Sequence, residues 1–259
     1  MLNIIKYEFL RKYKLLLMII MSAIIINIIA IFNAEAEGSA MFLALFPFAM
    51  ILLYIVDVIK MYSEDLNKKS GYMLFMTPNS GYKIIVSKVI TAVLEGFTIL
   101  LLYFIFIVIN GYYIIVVTKA DINYNEVLNA INMFLNGSFG FNLGHIFVLL
   151  IAFIIFIISF IMTAYMSITI RKSIFSETKF GGFLSFIIFI ALNSFGSYAS
   201  GKILNIFSPY YNNNFTIIEN RISVEELVLV LMPIIVLSII ESVMMIIGSG
   251  YLLEKKINL

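Results

Sequence analysis

The chain has 259 residues, of which 62% belong to the hydrophobic set and only 12% are charged, against about 45–50% and about 25% in soluble domains. Mean hydropathy is +1.05, so most of the polypeptide has to dissolve in lipid, and a water-soluble enzyme is excluded. The net charge of +2 and the scatter of basic residues between apolar runs exclude nucleic acid as a partner. With no cysteine and one histidine, the chain has no disulfide, no thiolate chemistry and no multi-histidine metal site of its own.

Residues 1–14 place Leu2, Ile5, Phe9, Tyr13 and then Leu16 on one helical stripe, with Lys6, Arg11 and Lys14 off it. The spacing predicts an amphipathic helix on the inner membrane surface, where Lys6, Arg11, Lys12 and Lys14 reach anionic headgroups of the bilayer. The plainer alternative is an ordinary basic flank of the first span. Ala34-Glu35-Ala36 has the form of a signal-peptide cleavage site, but the apolar run before it is longer than a signal core, so a retained span is the better reading.

Six stretches are apolar for about the 20 residues that a crossing needs. They run approximately from Leu15 to Phe32, Met41 to Ile59, Ile84 to Val117, His145 to Ile170, Phe183 to Ala199 and Leu227 to Leu253. Their uninterrupted Ile, Leu and Phe lack the alternation of barrel strands, so the expected fold is an all-α integral membrane bundle of six transmembrane helices in one domain. The third run is too long for one crossing and too short for two, and is read as a single protruding helix. The fifth ends in Asn193, Ser194, Gly196, Ser197, Ser200 and Gly201, which predicts a broken or re-entrant end.

Of the 17 Lys and Arg, all but Lys119, Lys202 and Arg221 fall on one side of this weave, which makes that side and both termini cytoplasmic. The longest inner loop is 61–83. Ser63 is placed to cap a short helix, with Glu64 and Asp65 in its first turn and Glu64/Lys68 and Asp65/Lys69 as favourable pairs four apart. Pro78 and Gly81 mark its stop. Tyr72, Leu74, Phe75 and Met76 then form an apolar knob suited to a groove on a soluble partner.

The order of these features resembles the permease subunits of ATP-binding-cassette transporters, of the type-2, exporter-like family. The resemblance is carried by the N-terminal amphipathic helix, then Glu64-Asp65-Leu66, Ser70-Gly71-Tyr72, Thr77-Pro78-Asn79-Ser80-Gly81-Tyr82-Lys83 and Val86-Ser87-Lys88. One departure is Gly81, which stands where the family often has a basic residue. The resemblance implies a coupling helix within the 61–83 loop, docking an ATPase through Glu64, Asp65, Lys68, Lys69, Gly71, Tyr72, Phe75, Met76 and Pro78. It implies residues 1–14 as a connecting helix, two copies of a soluble ATPase carrying the ATP and magnesium, a second permease copy or paralogue, and a bacterial-type plasma membrane. It also implies that this chain is a non-catalytic transport subunit holding no cofactor.

Gly196-Ser-Tyr-Ala-Ser-Gly-Lys202 begins like a phosphate-binding loop, but Ile203 stands where Ser or Thr must hold magnesium, so it is a decoy. Glu95 and Glu241 fall well inside their spans, where a carboxylate costs at least about 2.5–3.5 kcal/mol and is a functional candidate by default. Asp57 and Lys88 sit near the inner boundary, positioned to pair with each other or to snorkel. His145, at the outer end of the fourth span, reads as a boundary residue. The competing class is an ion-gradient-driven carrier or channel using Glu95 and Glu241. An intramembrane enzyme is disfavoured, since no nucleophile with a general base and no His-Glu-x-x-His helix is present.

Overall fold

The computed structural model describes residues 2–67, 80–118, 129, 132–133, 142–175, 180–214 and 224–255, with backbone alone over 207–214. Among the described residues five long helices follow one another: α1 Leu2–Asn67, α2 Gly81–Thr118, α3 Leu143–Ile174, α4 Gly181–Asn214 and α5 Val224–Lys255. All five contain a stretch long and apolar enough to cross a membrane, so the chain is an α-helical, multi-pass membrane protein. Large apolar side chains such as Phe48, Leu52, Phe104 and Phe183 point away from the protein, as lipid-facing positions do.

The 66-residue α1 is a hairpin, not a rod. Ala34 and Glu35 leave helical geometry, and Glu35 takes φ 42°. The two arms fold back so closely that a Cβ on Gly38 would lie 1.9 Å from the Ala30 carbonyl oxygen, which only glycine permits. Lys12 and Asp57, 45 positions apart, end within 2.8 Å of each other. The gap expected between the first two apolar runs is therefore a tight reversal. Neither arm breaks where a membrane-surface helix or a loop helix was expected. The first is continuous from Leu2 through Leu15, so residues 2–14 extend the first apolar run. The second is continuous through Asn67, which puts Ser63 inside a helix instead of at its cap.

The chain divides into two compact units, 1–61 with 86–123, and 62–85 with 124–259. In the first, the returning arm of α1 runs antiparallel to α2. Ser39 donates to Asn110 Oδ1 at 2.6 Å, Tyr103 donates to the Leu43 carbonyl at 3.2 Å and Tyr54 donates to the Ala92 carbonyl at 2.8 Å. Phe42, Phe46 and Phe106 form a ring cluster with centroids 4.8–5.3 Å apart, a geometry that adds to plain burial.

In the second unit, α3 packs against α4 and, more extensively, against α5. The pairs Gly144 with Val224 and Gly248 with Met166 show α3 and α5 parallel. The edge-on contact of Phe160 with Phe189 and the approach of Gly181 to Arg171 show α4 antiparallel to α3. His145 is not merely a boundary residue: Asn142 caps α3, its side chain accepting from the His145 N–H while the Asn142 N–H donates to His145 Nδ1.

Two expectations about length are resolved. The third apolar run is one helix, α2. The fifth has no break at its small, polar end, because α4 continues through Asn193, Gly196 and Gly201 to Asn214. A re-entrant hairpin beginning in that stretch is excluded; its small residues are spent on a neighbouring helix, as described below.

Candidate functional site

Two constellations involve the helices that precede and follow residues 68–79. The first is a buried charge network in the first unit. Glu8 and Lys12, one turn apart on α1, are 2% and 5% exposed. Lys88 and Glu95, two turns apart on α2, are 2% and 1% exposed. Lys88 Nζ donates to Glu8 Oε1 at 2.6 Å, Lys12 Nζ donates to Glu95, and the same ammonium lies 2.8 Å from Asp57 Oδ2. Both pairings ascend in sequence together, so the first arm of α1 runs parallel to α2.

This network corrects three sequence expectations. Lys12, expected to reach lipid headgroups, is turned inward between two carboxylates, whereas Lys6, Arg11 and Lys14 are exposed. Asp57 and Lys88 do not pair with each other; each has a partner on the first arm. Glu95 is not a free intramembrane carboxylate, because Lys12 neutralises it. Glu8 was not among the sequence candidates at all. The signal was there in Ile4, Glu8 and Lys12, spaced by four, which is the stripe that is buried. The apolar stripe beginning at Leu2 and ending at Tyr13 faces outward at both of those residues.

The second constellation, in the second unit, holds the two stems that flank residues 68–79, the end of α1 and the start of α2. On the entering stem, Tyr62 is fully buried, stacks on Tyr165 with centroids 4.1 Å apart, and shares a 2.5 Å hydrogen bond with the Thr169 hydroxyl. Arg171 donates to Asn67 Oδ1 at 2.8 Å, in space that Gly181 leaves open, since a Cβ there would meet the guanidinium at 2.8 Å. On the leaving stem, the Gly81 N–H donates to Glu254 Oε1 at 2.9 Å, and the Tyr82 ring rests on Gly250. Leu66, Ile84 and Ile85 are buried beside these contacts. The stems are thus clasped by the ends of α3 and α5. None of the clasping residues was a sequence candidate, because aromatic and hydroxyl side chains near helix ends look like any interfacial belt.

Of the expected docking residues, Glu64 is half-buried and Asp65 is buried at 3%, so Asp65 belongs to the clasped stem and not to an open docking face. Lys68, Lys69, Gly71, Tyr72, Phe75, Met76 and Pro78 lie outside the described residues. Glu241 sits in neither constellation. It accepts from Ser159 Oγ at 3.3 Å across α3 and α5. Among the described residues, no group of three or more His, Cys, Asp or Glu is arranged to hold a metal ion. No family model, curated protein or solved structure matches the chain.

Proposed function

We propose that the chain is the membrane-spanning permease subunit of an ATP-binding-cassette transporter of the type-2, exporter-like kind. In this reading it crosses a bacterial-type plasma membrane six times, two of the spans being the arms of α1, and keeps both termini in the cytoplasm. It works with a second permease and two copies of a soluble ATPase, which hold the ATP and magnesium.

The observation that carries the reading is the clasp on the loop stems. The residues on either side of 68–79 are pinned by an aromatic stack, a guanidinium and a carboxylate, which in this reading ties the segment to the helices that hold them. A displacement of residues 68–79 is delivered to α3 and α5 at one end, and α1 and α2 carry it along their own length. The loop bears the apolar knob of Tyr72, Phe75 and Met76, which suits a cleft in a motor protein. ATP-driven closure of the ATPase pair would pull on that knob, and packed helices with discrete arrangements turn the pull into alternating access.

The rival reading, an ion-driven carrier using Glu95 and Glu241, fits the geometry less well at Glu95, where a transported cation has to displace the Lys12 ammonium. The test is copurification from native membranes in mild detergent. The account expects a soluble nucleotide-hydrolysing subunit to elute with the chain, and to be lost when residues 68–79 are replaced by a short Gly-Ser linker that leaves the clasped stems intact. Retention of that subunit by the linker variant, or transport driven by an ion gradient with no nucleotide, contradicts it.

A further inference from the structure

Between α3, α4 and α5 lies a cavity of about 220 Å³ that the coupling reading leaves unused. Its polar lining is Ser159, Asn193, Ser197, Ser200, Ser238 and Glu241, and its apolar lining includes the aromatic rings of Phe156 and Phe160 on α3 and Leu237 on α5. Glu241 is the acid at its centre, near the middle of α5 and two turns past Pro233, where the missing backbone N–H loosens the helix locally. Gly196 sets the depth of the carboxylate, since a Cβ there would fall 2.6 Å from Glu241 Oε1. This is where the small residues of α4 are used.

Among the described residues, no Lys, Arg or His lies within ion-pair distance of Glu241. That contrasts with Glu8 and Glu95, each answered by a lysine. A carboxylate at this depth in apolar helices calls for a cationic partner. The cavity is larger than a dehydrated metal ion needs. Its pairing of a hydroxyl-flanked carboxylate with aromatic faces matches an ammonium group that carries an apolar tail, which gains both a charge-assisted hydrogen bond and a cation–π contact.

We propose that this cavity is a binding site for a primary alkylammonium group, with Glu241 as its counter-ion, Ser159 holding the carboxylate in place and the Phe156 and Phe160 rings receiving the alkyl chain. The same chemistry is offered by the headgroup of an amine-bearing lipid and by a free amine. The site needs neither nucleotide nor ATPase, so its test is separate from that of the coupling reading.

The experiment is calorimetric titration of the full chain with hexylammonium chloride, with hexanol and sodium chloride as controls, in nanodiscs of phosphatidylcholine. Saturable binding of hexylammonium is expected, weakened about tenfold or more by Glu241→Gln. The same is expected of Gly196→Ala, which displaces only the flexible end of the Glu241 side chain. Equal binding by wild type and both variants overturns the proposal. Hexanol binding as tightly as hexylammonium, or sodium displacing it at millimolar concentration, also overturns it. Repeating the titration in phosphatidylethanolamine nanodiscs separates the sources. A fall in apparent affinity identifies the lipid headgroup as the resident ligand, an unchanged affinity identifies a free amine, and both uphold the ammonium site.

Discussion

Replacing Lys12 by Met is expected to destabilise the protein by about 3–5 kcal/mol, the penalty for removing one partner of a buried ion pair and leaving the other charged. Two carboxylates, Asp57 and Glu95, depend on that one ammonium, and Glu95 is 1% exposed. The loss is therefore desolvation of an unpaired anion and not the modest value of a surface bridge. Adding Glu95→Gln to the Lys12→Met chain is expected to recover a large part of the loss, since the amide has no charge to strand. Glu95→Gln alone should cost less than Lys12→Met, because Asp57 remains to pair with the lysine. Equilibrium unfolding of the four chains in one detergent closes the double-mutant cycle. Additive effects, with no coupling between positions 12 and 95, would contradict the network.

The second large effect concerns the clasp. Tyr62→Ala removes a fully buried ring stacked on Tyr165 and a hydrogen bond to Thr169. A loss of about 3–5 kcal/mol is typical for an aromatic truncated in a packed core. The functional outcome distinguishes a clasp from mere packing. The proposed docking segment 68–79 is unaltered in this variant, so under the permease reading the ATPase is expected to stay bound. Its coupling to transport should fall about two- to thirtyfold, the range that 0.5–2 kcal/mol of lost coupling gives. Tyr62→Phe keeps the stack and is expected to stay close to wild type in both measurements. Full coupling in a folded Tyr62→Ala chain would show that the stem carries no force.

The helices were legible in the sequence because lipid imposes a simple rule: about 20 apolar residues in a row must be helical. The single long α2 followed from run length, and the reversal at Ala34 and Glu35 falls in the gap left between the first two apolar runs. What was not legible was which charge meets which. Lys12 sits between Arg11 and Lys14 and looks like one more basic flank, while its carboxylate partners are 45 and 83 positions away. Asp57 and Lys88 looked like natural partners by depth, yet each turns to the first arm of α1. The polar end of α4 was mistaken for a break for a related reason. Glycine and serine in a row signal weak helix propensity, but here they make room for Glu241 on α5. Local composition does not reveal a partner on another helix. Ser63 was misplaced as a cap because the helix feeding into it was already formed upstream, and capping propensity acts only where a helix begins.

The proposed inward orientation of residues 68–79 is the point on which the permease reading turns, and the absence of cysteine makes it directly measurable. With Tyr72→Cys as the single thiol, a membrane-impermeant maleimide is expected to leave intact cells unlabelled and to label inside-out vesicles stripped of peripheral proteins. Glu126→Cys, in the segment between α2 and α3, should show the reverse. Labelling of Tyr72→Cys in intact cells would put the loop outside, beyond the reach of any cytoplasmic motor, and would contradict the account.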